Sequence, residues 1–243
     1  MTYCLGILLP SGLVMAADSR SNAGIDDFTS VYKLEVIEQP GSRVIVILSA
    51  GNLATTQSVI TQLRECIDHG GPRDLYEART MYEAARALGD TLREVIARDG
   101  TFVAPYGSAS GSFIIGGQIR GEAPRLFQVY AAGNFVEASP RSRYLQLGET
   151  KYGKPILDRA LTRTSSLNEA AKLALLSFDA AMRSDLSVAM PIDILRYEAD
   201  SFSSANRAEL HKEDPYWSAL RAAYGKGLAD LVDRLPPPPD WKA

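Results

Sequence analysis

Apolar residues arrive in short runs over the first fifty positions, and then the period changes. Tyr3–Leu9 and Leu13–Asp18 are two runs split by Pro10-Ser11-Gly12, which predicts a hairpin. Val31–Ile37 and Val44–Ala50 repeat the pattern around Gln39-Pro40-Gly41-Ser42. Val44-Ile45-Val46-Ile47-Leu48 is apolar throughout, as in a strand covered on both faces. From Leu53 to His69 the apolar positions Leu53, Val59, Ile60, Leu63 and Ile67 have helical spacing, and Gly70-Gly71-Pro72 stops the helix. A second helix is predicted from about Leu75 to Arg98, ending at Asp99-Gly100. Strands resume over Ser112–Ile119 and Arg125–Tyr130, around a turn at Arg120-Gly121-Glu122. Helical spacing returns over Tyr152–Leu161 and Leu167–Met182, and the second of these opens with the capping-box sequence Ser166-Leu167-Asn168-Glu169. Ile192–Tyr197 is a further strand. Asp214-Pro215 starts a C-terminal helix, and Leu235–Trp241 continues as a stiff polyproline tail.

Strands arriving in hairpins and helices arriving in pairs predict an α+β fold. Two antiparallel sheets would be sandwiched between helical layers, a four-layer αββα arrangement. No repeat or linker divides the chain, so residues 1–243 read as one domain, with 212–243 as a helical and Pro-rich extension.

Bulk properties narrow the function. The chain has 243 residues, 46% hydrophobic and 23% charged, with a net charge of −3 and no basic run. That disfavours a nucleic-acid partner. No segment approaches the roughly 20 apolar residues of a membrane helix. The start lacks a basic region and a small-residue cleavage site, so it reads as a strand rather than a signal peptide. The two cysteines, Cys4 and Cys66, read as reduced core residues of a cytoplasmic protein. His69 and His211 are the only histidines, too little material for a histidine metal site or a Ser-His-Asp triad, and no metal or cofactor is expected. The tyrosines, Tyr76 and Tyr82 among them, read as packing residues.

The candidate chemistry begins at Thr2. Removal of Met1 would leave a residue carrying both a hydroxyl and an amine, with Asp18 and Lys33 downstream. A nucleophile that brings its own base is one recognised solution for amide hydrolysis. A small residue after Met also simply permits Met removal, and Asp18 with Lys33 equally reads as an ion pair between strands.

Four segments then resemble one family: Gly12-Leu13-Val14-Met15-Ala16-Ala17-Asp18-Ser19-Arg20, the Lys33 strand, Ser49-Ala50-Gly51 before a helix, and Ser112-Phe113-Ile114-Ile115-Gly116-Gly117. With the helix pair they span the chain to about Tyr197 and resemble the proteasome β-subunit superfamily of N-terminal-nucleophile hydrolases. Met1-Thr2-Tyr3-Cys4, Ser19–Gly24, Lys151-Tyr152-Gly153-Lys154-Pro155 and the C-terminal extension look closest to its bacterial Anbu, or ancestral β-subunit, branch.

The resemblance implies a threonine peptidase acting on peptide or amide bonds through an acyl-enzyme on Thr2. Asp18 would brace Lys33. The proton would pass to the freed α-amine, with an ordinary pKa of roughly 7.7–8.0, or to Lys33; the sequence leaves both open. Gly51 would offer its N–H to the oxyanion, although a glycine there also simply makes the turn. Asp185 and Ser187 are the counterparts of a supporting Arg-Asp-x-x-Ser-Gly motif, at a spacing one residue different and without the glycine. Gly148-Glu149-Thr150 carries glutamate where the family has a serine between glycines. Ser21, Val31, Ser49 and Leu53 are expected to line the substrate pocket, Val31 sharing a strand face with Lys33.

The family forms enclosing assemblies. A ring-like or helical homo-oligomer is therefore expected, with Leu53–Arg98 as a packing surface and the C-terminal extension reaching a neighbour. No unfoldase partner is identifiable. An amidase acting on small or unusual amides and a catalytically dormant oligomeric scaffold are the alternatives.

Overall fold

The computed structural model describes residues 2–22 and 28–239. One sheet runs in the order β10 (Tyr144–Gly148), β1 (Tyr3–Leu9), β2 (Gly12–Asp18), β11 (Ile192–Glu198), β12 (Arg207–Leu210). The other runs β5 (Leu34–Gln39), β6 (Arg43–Gly51), β7 (Gly111–Ile119), β8 (Arg125–Val129), β9 (Phe135–Glu137). All pairings within both sheets are antiparallel. A short ribbon of β3 (Arg20–Asn22) and β4 (Phe28–Ser30) stands apart. The helices are α1 (Leu53–His69), α2 (Met81–Val103), α3 (Lys154–Ala160), α4 (Leu167–Ser184) and α5 (Pro215–Val232).

Three apolar layers follow from strand alternation. Strand β1 sends Tyr3, Leu5, Ile7 and Leu9 toward α3 and α4, where they meet Leu157, Ala174 and Phe178. Strand β6 sends Ile45 and Ile47 toward α1 and α2, against Val59, Leu88 and Leu92. The opposite faces, with Cys4, Met15, Val44, Val46, Leu48 and Ile114, close on each other between the sheets. A strand inside an αββα sandwich is covered on both faces, which is why the Val44–Leu48 run is uniformly apolar.

Three boundaries differ from the sequence reading by three residues or more. Helix α2 begins at Met81, because Asp74 Oδ1 accepts the Tyr76 N–H and holds Leu75 in a turn, while Thr80 caps the helix by accepting the Glu83 N–H (3.1 Å). The helix then runs through Asp99-Gly100 to Val103, since the cost of a helical glycine, about 1 kcal/mol against alanine, is outweighed by the buried face of α2. Val31–Lys33 precede β5 rather than belonging to it. Strands β3, β4, β9, β10 and β12 were not expected from periodicity.

The capping box at Ser166 and Glu169 forms as expected, as does the Asp214 cap of α5. Among the described residues, no helix is long and apolar enough to cross a membrane.

Phe178 is fully buried and its ring lies 4.4 Å from that of Tyr3. Phe178→Ala is expected to cost about 3–5 kcal/mol. A urea titration that shows an unchanged midpoint would contradict this packing.

Candidate active site

Thr2 stands one residue before β1 and is pinned by its backbone. Its carbonyl accepts the Glu149 N–H (2.7 Å), and the next N–H, of Tyr3, donates to Asp18 Oδ1 (2.9 Å). Asp18 ends β2 in the same sheet and is 1% exposed. Lys33 enters from the other sheet, just before β5. Its Nζ donates to Asp18 Oδ1 (2.7 Å), to Thr2 Oγ1 and to the Arg20 carbonyl. Three acceptors match the three N–H donors of an ammonium. The Thr2 hydroxyl in turn donates to Asp18 Oδ1 (2.5 Å). Asp18 Oδ2 is buried without a hydrogen-bond partner among the described residues.

Thr2 and Lys33 face a cavity of about 300 Å³. Val31, Ser49, Gly51 and Leu53 line it together with Thr2 and Lys33. Val31 and Lys33 share that side although neither lies in a strand, with the exposed Tyr32 between them. The backbone of Ser21 lies in β3, but its side chain lies outside the described residues.

Gly51 closes β6, and Asn52, not Gly51, caps α1 by accepting the Thr55 N–H (3.1 Å). Its φ is 111°, and a Cβ there would stand 2.5 Å from the Ser110 carbonyl oxygen, so only glycine fits.

Asp185 and Ser187 do not line this cavity. Asp185 follows α4, and its Oδ1 accepts the Ser187 N–H (2.8 Å) and hydroxyl (2.5 Å). Burial pushes the Asp185 carboxyl up, but those two donors, with the positive charge of the chain's N-terminus, outweigh it and hold it below the ordinary carboxylate range. Among the described residues, neither side chain hydrogen-bonds Thr2, Asp18 or Lys33. The link is indirect: Arg20, whose carbonyl receives Lys33, donates through Nη1 to the Leu186 carbonyl (2.5 Å).

Glu149 also turns away from the cavity. Its Oε1 accepts the N–H groups of Lys151 (2.5 Å) and Tyr152 (3.1 Å), so its carboxylate shapes the approach to α3 while its N–H holds Thr2. Thr56 and Gly148 line the cavity and were missed. Thr56 was findable, one helical turn beyond Leu53.

With this geometry, the family model for "Proteasome subunit" matches residues 2–195. The chain is similar to Anbu (ancestral beta-subunit) from Yersinia bercovieri, at 42% identity and a TM-score of 0.93, over 99% of this chain and 100% of that one. It is also similar to Anbu from Pseudomonas aeruginosa, solved as a helical assembly, at 46% identity and a TM-score of 0.93, over 98% of each chain.

The chain belongs to the Anbu branch of the proteasome subunit family.

Among curated relatives, this Anbu chain is similar to proteasome subunit beta 2 of Pyrococcus furiosus, at 26% identity over 214 residues, 87% of this chain and 94% of that protein.

Beside the Anbu site, Cys4 is fully buried, and its Sγ approaches the Ser49 carbonyl at 3.4 Å. Burial pushes its thiol up to about 12 from an ordinary 9.0, a rise only partly opposed by Lys33. A thiol whose pKa is raised on folding stabilises the fold fully below its unfolded value and loses that contribution as pH climbs toward the folded value. Stability against urea is therefore expected to fall between about pH 9 and 12, and Cys4→Ala to flatten part of that fall. At pH 8, native Cys4 should resist iodoacetamide and react after unfolding. Alkylation of folded Cys4 at pH 8, read by peptide mapping, would contradict its burial.

Proposed function

We propose that Thr2, freed by removal of Met1, is the nucleophile of an N-terminal threonine hydrolase, a peptidase that works through an acyl-enzyme. The observation that carries this reading is the Lys33 Nζ shared between Thr2 Oγ1 and Asp18 Oδ1 at a cavity bordered by Gly51. Oγ1 would attack the substrate carbonyl carbon, and its proton would pass to the Thr2 α-amine. Lys33 already has three acceptors and serves better as a fixed positive charge than as a base. The amine would hand the proton to the leaving nitrogen as the C–N bond breaks. Water would then attack the Thr2 ester, restoring the hydroxyl and releasing a carboxylate.

Gly51 supports a donor role for the oxyanion. Ser49 N–H donates to the Lys33 carbonyl (3.0 Å), and β6 alternation carries the N–H two residues on to the same edge, beside the cavity. Val31, Ser49 and Leu53 would contact the substrate side chain.

Small amides are the second reading. It is favoured by Glu149, whose carboxylate is occupied by Lys151 and Tyr152 where the family uses a serine, and by the absence of Asp185 and Ser187 from the cavity.

The relative solved as a helical assembly supports self-association of this chain into a helical or ring-like homo-oligomer. In the extension proposed for residues 212–243, α5 buries only Trp217 and leaves Leu228, Leu231 and Val232 at 45–65% exposure, a surface suited to a neighbouring copy.

Two outcomes are expected. Intact mass of native protein should show loss of Met1 and one adduct from an electrophile selective for N-terminal threonine. Thr2→Ala should abolish the adduct and cleavage in a peptide-library screen, and Lys33→Ala should lower the rate by about 10²–10⁴. Retained Met1 with no adduct sinks the hydrolase reading, while turnover of small amides alone selects the second. Separately, deleting residues 212–243 should reduce assembly size in light scattering. Unchanged size would remove α5 from the interface.

A further inference from the structure

Arg20 borders the Thr2 cavity and also a second one of about 400 Å³, which lies between the end of α4, the segment after it and the first turns of α5. Its chemistry is lopsided. Among the described residues, Asp179, 3% exposed, is the one acid lining it, against Arg183, Lys212 and Arg221. Asp179 receives Arg183 Nε on Oδ2 (3.0 Å) and Arg221 Nε on Oδ1 (2.5 Å). Each guanidinium thus meets the acid through Nε alone, and its terminal nitrogens have no acceptor among the described residues. Lys212 has no ion pair among the described residues. The buried carboxylate fixes two cations side by side but neutralises only one of them.

The rest of the wall is apolar. Met182, Val188, Met190 and Trp217 line it, with the Arg221 guanidinium 5.5 Å from the centre of the Trp217 ring. A cavity that sets paired guanidiniums beside thioether and indole is complementary to one kind of molecule: an apolar body ending in a carboxylate. Two guanidiniums held in place lose little freedom on receiving a carboxylate, and such forks bind it through two N–H donors.

We propose that this second cavity binds a carboxylate carried on an apolar body, with Arg183 and Arg221 holding the anion and Met182, Met190 and Trp217 holding the body. The free C-terminus of a peptide ending in an aliphatic residue and a short fatty acid share this chemistry. Binding here does not depend on Thr2 being a nucleophile.

The test uses the full-length protein carrying Trp241→Phe, so that Trp217 alone reports. N-acetyl-leucyl-leucine, its C-terminal amide and hexanoate are titrated by tryptophan fluorescence and calorimetry. One or both acids should bind saturably, with the peptide amide at least about tenfold weaker than the peptide acid, as loss of a charge-assisted pair implies. The stronger acid identifies the source. Arg183→Gln should weaken acid binding about tenfold while circular dichroism stays unchanged, because Arg221 still satisfies Asp179. Met182→Ala supplies an independent variant that weakens acid and amide alike. Thr2→Ala should bind as the parent does, which separates this site from the hydrolase reading. Absence of binding by both acids, equal affinity for acid and amide, or acid binding indifferent to Arg183→Gln would each overturn the proposal.

Discussion

One buried ion pair crosses between the two sheets. Asp18 ends a strand of the first sheet, and Lys33 enters the second. Neither charge has much solvent: the side chains are 0% and 7% exposed. Removing one partner from such a pair costs about 3–5 kcal/mol, because the other charge is left buried alone. The pair thus sets the depth and register at which the sandwich closes at this end. Thr2 is the third member, reached through Oγ1 by both charges.

The surroundings reinforce that geometry. Arg207, on the edge strand β12, pairs with Asp193 of β11 and also donates to the Leu34 carbonyl (3.3 Å). Asp193 lies opposite Ala17, the neighbour of Asp18, while Leu34 follows Lys33. A second contact between the sheets therefore stands one residue away from each member of the first. Tyr3, behind Thr2, is fixed by Ser177 (3.0 Å), by Gln146 (2.8 Å) and by the Phe178 ring. The Thr2 hydroxyl is thus held from both sides, by Asp18 and by Lys33.

Much of this architecture is legible in the sequence, and the parts that are not have a common cause. Long periodic stretches such as β6, α1 and α4 announce themselves because one face repeats. Strands β3, β4 and β9 have three residues each, too few to show a period. Strand β10 alternates Leu145 and Leu147 with polar neighbours over only five residues. The start of α2 was misread because buried Leu75 falls in phase with the helix while belonging to the preceding turn. The meeting of Thr2, Asp18 and Lys33 could not be read from spacing at all. It depends on how two sheets stack, and only the family resemblance pointed to it. That same resemblance pointed to Asp185 and Ser187, whose shifted spacing and missing glycine accompany side chains that bond to each other rather than to Thr2, Asp18 or Lys33.

The seat of Thr2 is also a matter of timing. Gly148, at φ 75°, lies so close beneath the Thr2 carbonyl that a Cβ would stand 1.8 Å from its oxygen, and Glu149 supplies the hydrogen bond that holds it. Strand β1 is flanked by β10, and β2 by β11, partners made long after them on the ribosome. Pairings so distant in sequence form late. A nascent chain that has emerged only through its first helices lacks the Gly148-Glu149 seat of Thr2. The seat of Thr2 is completed by the second half of the polypeptide, so the fold itself delays the final placement of this residue until more than half of the chain has been made.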